Sequence, residues 1–205
     1  MKRVLLFALG TLMMSPVMAK KKTPAPAAPK PAAEIHWITS IDELQAKMRQ
    51  NPKKVYMDVY TSWCGWCKKM DATTFSNPDL IKYMNNNFYA VRLDAERKDT
   101  IHFQGKDYYY NPQFKANTFA VELMKGQMSY PTAIIMMENF QTGTQVIPGY
   151  MEVKQIEPLL TYFGDNVNKH QPWDVYLKSY KPIWDHGETQ DMTAPPHASP
   201  DSPLK

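Results

Sequence analysis

The stretch VYMDVYTSWCGWCKK, Val55 to Lys69, decides how the rest of this 205-residue chain is read. Its first part, Val55 to Tyr60, is a short apolar run behind the turn-forming pair Asn51-Pro52. That pattern describes a strand buried on both faces. From Cys64 to about Ala72 the chain is expected to be helical, so Cys64 falls at a strand-to-helix junction. Unpaired backbone N–H groups and the helix dipole favour a thiolate there, and the thiolate is the form that attacks a disulfide. Cys67 lies one turn on, close enough to close a disulfide with Cys64 and expected to be the more buried of the two. The division of labour follows: Cys64 attacks the substrate and Cys67 resolves the mixed disulfide.

Cys64 and Cys67 are the chain's two cysteines. A spacing of three closes only a tiny loop, which excludes a disulfide-stapled scaffold. Two blander readings remain open for the pair. One is half of a zinc site, which needs two further ligands, yet His36, His102, His170, His186 and His197 show no ligand-pair spacing. The other is a pair of unreacted structural thiols. The histidines themselves read as surface or locally bonded residues.

Outward from the junction, elements alternate. Ser40-Ile41-Asp42-Glu43 is a capping box ahead of a helix with Ile41, Leu44 and Met48 on one face. Asn77-Pro78 opens a helix to Met84, and Phe88 to Leu93 is a second buried strand. Phe114 to Met124 has helical spacing. Thr132 to Met137 and Thr144 to Ile147 flank Gly143 as a hairpin. Ile156 to Phe163 is a helix ending at Gly164, with Pro158 in its first turn or kinking it. Trp173, Tyr176, Leu177 and Tyr180 mark one further helix. This order is α/β: a mixed central sheet flanked by helices, with the strands at Val55–Tyr60 and Phe88–Leu93 parallel.

The ends have a different character. Residues 1–19 read as a signal peptide: Lys2 and Arg3, an apolar run from Val4 to Met14, and Val17-Met18-Ala19 before the cut. From Val4 to Ala19 is shorter than the ~20 residues of a spanning helix, so no transmembrane segment is expected once the signal is cleaved. Residues 20–33 (KKKTPAPAAPKPAA) form a Lys/Pro/Ala linker with nothing large to bury. The domain is expected over 34–182 and a disordered tail over 183–205. The formal charge of +4 falls to about +2 without Lys2 and Arg3, too balanced to imply nucleic acid. There is no phosphate loop and no GxGxxG, and no bound cofactor is expected.

The stretch from Lys54 to Lys69 strongly resembles proteins of the thioredoxin superfamily. It looks most like secreted bacterial thioredoxin-like proteins and the periplasmic C-terminal domain of the transmembrane disulfide reductase that passes electrons outward. The similarity runs on through TTFSNPDLIKYMNNNFYAVRLDAE (73–96) to SYPTAIIM (129–136) and PGY (148–150), most of Ile35 to Gly164. The resemblance implies a thioredoxin-like fold in which Tyr130-Pro131-Thr132 stands where the family has a cis-proline facing the cysteines. An ordinary edge-strand proline is the alternative for Pro131. Asp58 matches the family's buried acid, whose carboxyl desolvation raises and which takes the Cys67 proton during resolution. Alternatively it is half-exposed or paired with Arg92, which aligns with a basic family position.

Two features depart from the family. Gly65-Trp66 between the cysteines is neither the Gly-Pro of ordinary thioredoxins nor a His-containing pair, so no cation from that pair stabilises the thiolate. A reducing or intermediate poise is expected. Trp63 and Trp66 read as the apolar rim for a partner chain, with plain packing as the alternative. The stretch from Arg97 to Met128 is an aromatic-rich insertion before the Pro131 strand, with a hairpin around Gly105. It either lines the active-site edge through Tyr108-Tyr109-Tyr110 or adds cover to the core.

The expected activity is that of a secreted or periplasmic thiol-disulfide oxidoreductase working on protein disulfides as a reductase or isomerase. The residues bearing on substrate are Trp63, Trp66, Tyr130 and Pro131. Its partners would be disulfide-containing proteins and a membrane-bound or periplasmic thiol reductant. The alternative is a non-catalytic thioredoxin-like module that binds a partner protein.

Overall fold

The computed structural model describes residues 34–138, 140 and 144–185. The expected signal over 1–19, the linker over 20–33, the turn residue Gly143 and the tail beyond Asp185 lie outside them. Ser40 opens the first helix, α1 (Ile41–Gln50), where its hydroxyl accepts the Glu43 N–H at 3.2 Å. Ile41, Leu44 and Met48 form its buried stripe. The strand β1 (Lys54–Tyr60) has its first six residues buried. Then come α2 (Gly65–Thr73) and α3 (Pro78–Asn87), the latter capped by the Asn77 side chain with Pro78 at its first position. β2 (Phe88–Asp94) follows. It runs parallel to β1 with Asp58 opposite Arg92, as the crossover demands.

Between Arg97 and Met128 lie two small hairpins, β3 (Ile101–Phe103) with β4 (Lys106–Tyr108) and β5 (Tyr110–Asn111) with β6 (Ala116–Asn117). Gln104 and Gly105 turn the first with φ of 50° and 78°, so the hairpin around Gly105 is present. The helix α4 (Thr118–Leu123) is shorter than the spacing of Phe114 to Met124 predicts. Asn117 explains the difference. Its side chain accepts the Phe119 N–H and starts the helix there, while Lys115 at φ 51° closes the hairpin upstream.

β7 (Thr132–Met136) and β8 (Gln145–Pro148) complete one sheet in the order β2-β1-β7-β8, with β7 antiparallel to both neighbours. α5 (Val153–Gly164) begins three residues before the expected Ile156, because the Gln155 side chain accepts the Glu152 N–H and caps it. Pro158 therefore sits inside the helix, past its first turn. The last helix is α6 (Trp173–Ser179). Past Pro182 the chain keeps defined partners, since the Ile183 and Trp184 N–H groups donate to Glu157 Oε1 at 2.6 and 3.1 Å.

The period of β1 sorts two cores onto opposite faces of the sheet. Val55, Met57 and Val59 pack with Ile41 and Leu44 of α1 and Phe119 and Ala120 of α4. Tyr56 packs with Leu80 and Met84 of α3 and Ile156 and Leu160 of α5. This is a thioredoxin-like fold, a mixed sheet between two helical layers. α2 caps the carboxyl end of β1 and touches both cores, Cys67 one and Met70 the other. Among the described residues no helix is long and apolar enough to cross a membrane.

Candidate functional site

β1 ends at Tyr60, and Thr61 to Trp63 turn the chain into α2 with Cys64 as its N-cap. Cys64 Sγ accepts the Cys67 N–H at 3.0 Å, the position a serine or aspartate oxygen takes at other helix starts. Cys64 and Cys67 are joined as a disulfide with Cα atoms 5.3 Å apart. The expected contrast in burial is absent: Cys64 is 2% and Cys67 3% exposed. The reason is local. Trp63 and Gly65 take the solvent-facing positions of the turn, and both cysteines join the core beneath α1 and α4. What distinguishes Cys64 is its place at the end of the helix, where the orphan N–H groups converge.

The Tyr130–Pro131 peptide is cis. It stands at the head of β7, where Gly149 N–H donates to Pro131 O at 2.8 Å and Thr132 Oγ1 to Ser129 O at 2.7 Å. Trp63 is 52% exposed, and its ring meets Tyr130 edge-on at 5.9 Å. Trp66 is half-buried instead, with its ring 5.3 Å from Tyr150. The Lys69 ammonium lies over both rings, at 4.7 and 5.2 Å, within cation–π range. Thr73 Oγ1 holds the shelf, bonded to Lys69 O at 2.8 Å and to the Tyr150 hydroxyl at 3.1 Å.

Asp58 is buried within β1, on the face of the sheet that carries Tyr56. Burial pushes its carboxyl up to about 7, against the pull of Arg92 and with a further push from Asp71. The pairing with Arg92 read as an alternative is present, with Nη2 3.2 Å from Asp58 Oδ2. The same nitrogen lies 2.8 Å from Asp71 Oδ1 and donates to Oδ2 at 2.9 Å. Asp71 takes the hydrogen bond, and Asp58 Oδ2 is left without one. Rings of Tyr60 and Trp37 cover the guanidinium at 4.7 and 5.2 Å. Asp58 thus combines a raised pKa with an ion pair.

Asp71 and Tyr150 are contributors that the sequence reading passed over. Asp71 was findable, since it follows Cys67 by four residues and so shares its helix face. Tyr150 lies 84 positions from Trp66, and nothing local announces that contact. In the insertion, Ile101 and Tyr108 are buried against Phe119, and the Gln45 side chain of α1 bonds both His102 O and the Gln104 N–H. Its main role is therefore cover for the core, and Tyr109 is the exposed member of the tyrosine run. Among the described residues, no group of three or more His, Cys, Asp or Glu is placed to hold a metal ion.

A family model described as a thioredoxin-like domain matches residues 41–164. Over 73 residues the chain is 29% identical to the thiol:disulfide interchange protein DsbD of Campylobacter jejuni, covering 36% of this chain and 13% of that protein. The matched stretches span 8% to 13% of the length of such curated relatives. Among solved structures, a thioredoxin-fold protein from Helicobacter pylori superposes with TM-score 0.46 at 16% identity, covering 69% of this chain and 86% of that one. The oxidised C-terminal domain of DsbD from Neisseria meningitidis gives TM-score 0.38 at 17% identity, covering 63% and 98%.

Proposed function

The chain belongs to the thioredoxin-like domain family, and from that premise we propose that it is a secreted thiol-disulfide oxidoreductase that reduces or isomerises disulfides of protein substrates. The observation that carries this reading is the Cys64–Cys67 pair at the start of α2, with Cys64 Sγ aligned on the Cys67 N–H. A hydrogen bond and a positive helix end that serve a neutral sulfur serve a thiolate better.

In the reduced protein, Cys64 thiolate attacks one sulfur of the substrate disulfide, and the other sulfur leaves as a thiolate. Cys67 then gives up its proton, attacks Cys64 Sγ and expels the second substrate sulfur. Two electrons pass to the substrate, and Cys64–Cys67 becomes the disulfide. Asp58, whose burial raises its carboxyl to about 7, takes the Cys67 proton in its ionised form, as the stronger base that the raised value makes it. In isomerisation the substrate's own thiol resolves the mixed disulfide and no net electrons move. A dithiol carrier, membrane-bound or periplasmic, reopens the pair after each reduction. Trp63 and Trp66, with Tyr130 and Pro131, form the face on which the substrate chain rests. Export rests on the signal-like sequence from Met1 to Ala19.

The test is the reduction potential of the Cys64–Cys67 couple together with insulin reduction by the whole chain. A value near ~−270 mV supports a reductase, and one near ~−120 mV would make it an oxidant and overturn the assigned direction. Alkylation of the reduced protein at rising pH should label Cys64 first; labelling of Cys67 first would reverse the roles. Cell fractionation that leaves the chain in the cytosol would remove the secreted part of the proposal.

A further inference from the structure

The disulfide is bordered by two aromatic pairs whose charged neighbours have opposite signs. Trp63, just before Cys64, meets Tyr130. Tyr60 stands opposite Asp94 and Val59 opposite Thr132, so the end of β2, with Asp94 and then Glu96, and the head of β7, with Tyr130, flank the same end of β1. Burial, and then Glu96 and Asp94, hold the Tyr130 hydroxyl well above the usual tyrosine range. Of the cations in the same loop, Arg97 grips Asp99 and Thr39 O and also faces Asp94, and Lys98 lies over Tyr110, which leaves Glu96 as the acid that sets the sign of this border. On the other border, Trp66 meets Tyr150 beneath the Lys69 ammonium, with exposed Lys68 beside it on α2. The acids near that shelf are also committed, Asp71 to Arg92 and Glu152 to Lys154. A chain lying across the cysteines therefore meets negative potential at one border and positive at the other.

We infer that the site selects disulfide-bearing polypeptides that are bipolar around the reacting cysteine, with a basic side chain toward Trp63–Tyr130–Glu96 and an acidic one toward Trp66–Tyr150–Lys69. This rests on the exchange activity proposed above and adds its substrate class. Rim charges of this kind act mainly on association and on the choice between partners, and salt screens them.

The test uses the full chain in its reduced form and five synthetic peptides of one sequence. In each, the single cysteine is capped as a mixed disulfide with 2-nitro-5-thiobenzoate, whose release is read by absorbance. One peptide is neutral; the others carry one glutamate or one lysine, either before or after the cysteine. Glutamate should accelerate release on one side of the cysteine and lysine on the opposite side, each by roughly two- to fivefold over the neutral peptide. Both gains should shrink in 0.5 M salt. Lys69→Gln should remove the glutamate gain alone and Lys69→Arg should keep it. Glu96→Gln should cut the lysine gain alone. Equal rates for all five peptides, gains on the same side, or gains untouched by both glutamine variants would overturn the inference while leaving the exchange activity standing. No release from the neutral peptide would instead defeat the exchange reading, and this inference with it.

Discussion

The β1–α2 segment and the insertion from Arg97 to Met128 both combine aromatic rings with ion pairs, in opposite surroundings. Around Asp58 the carboxylate is inside, its arginine is roofed by Tyr60 and Trp37, and a second acid competes for the same guanidinium nitrogen. In the insertion, Lys106 pairs with Glu122 at 59% and 55% side-chain exposure, and His102 pairs with Asp107 equally in the open. The insertion's hold on the domain comes from Ile101, Tyr108 and Phe119, which are buried. Desolvation makes the difference. A buried ion pair changes what its carboxyl can do chemically, while an exposed one is screened and adds little.

The largest effect that sharpens this contrast is at the cysteines. Cys64→Ser should reduce disulfide exchange to the buffer level in an insulin assay, whereas Cys67→Ser should accumulate mixed disulfides visible on non-reducing gels. In the insertion the strongest variant acts on folding instead. Phe119→Ala should cost about 3–5 kcal/mol in urea unfolding by emptying a fully buried ring site. A loss well under that range would show the insertion to be separable from the core.

Asp58→Asn should come next and in the opposite direction. The native carboxyl titrates at about 7, raised from the ordinary 3.8 that the unfolded chain keeps. Between those values the folded state holds a proton that the unfolded state has lost, so wild-type stability falls as pH rises through that window. A neutral amide at this position would carry no such penalty. The variant should be the more stable protein at pH 8, by on the order of 2–4 kcal/mol, and its stability should be flatter between about pH 4 and 7. Parallel pH profiles for the two proteins would show that Asp58 is not desolvated as placed. The smallest effect belongs to the exposed pair: Lys106→Ala should leave the thermal midpoint unchanged within error at physiological salt. A clear drop would erase the contrast.

What was legible beforehand follows the range of the interactions. β1, α2 and α3 could be placed because apolar runs, Asn51-Pro52 and the Asn77-Pro78 cap act within a few residues. The sequence pattern overstates α4, because Phe114 to Met124 keeps helical spacing while the interruption depends on Lys115 adopting positive φ and on one Asn117 side-chain bond. The difference expected in burial between Cys64 and Cys67 failed for a related reason. Helix position predicts which sulfur meets the dipole, whereas exposure depends on what packs over the turn.

By itself the sequence determined the chemistry available: two cysteines one helical turn apart, an acid six residues earlier in an apolar strand, and a proline at the head of a later one. Each of these is a matter of residue type and near spacing, which backbone geometry converts directly into placement. Only the tertiary structure decided that Arg92 is shared between Asp58 and Asp71, that Trp63 meets Tyr130, and that Trp66 and Lys69 stack with Tyr150. Those contacts join positions 21 to 84 residues apart. They exist because the register of β1 against β2 and β7 brings distant segments to one end of the sheet, and no local pattern encodes that register.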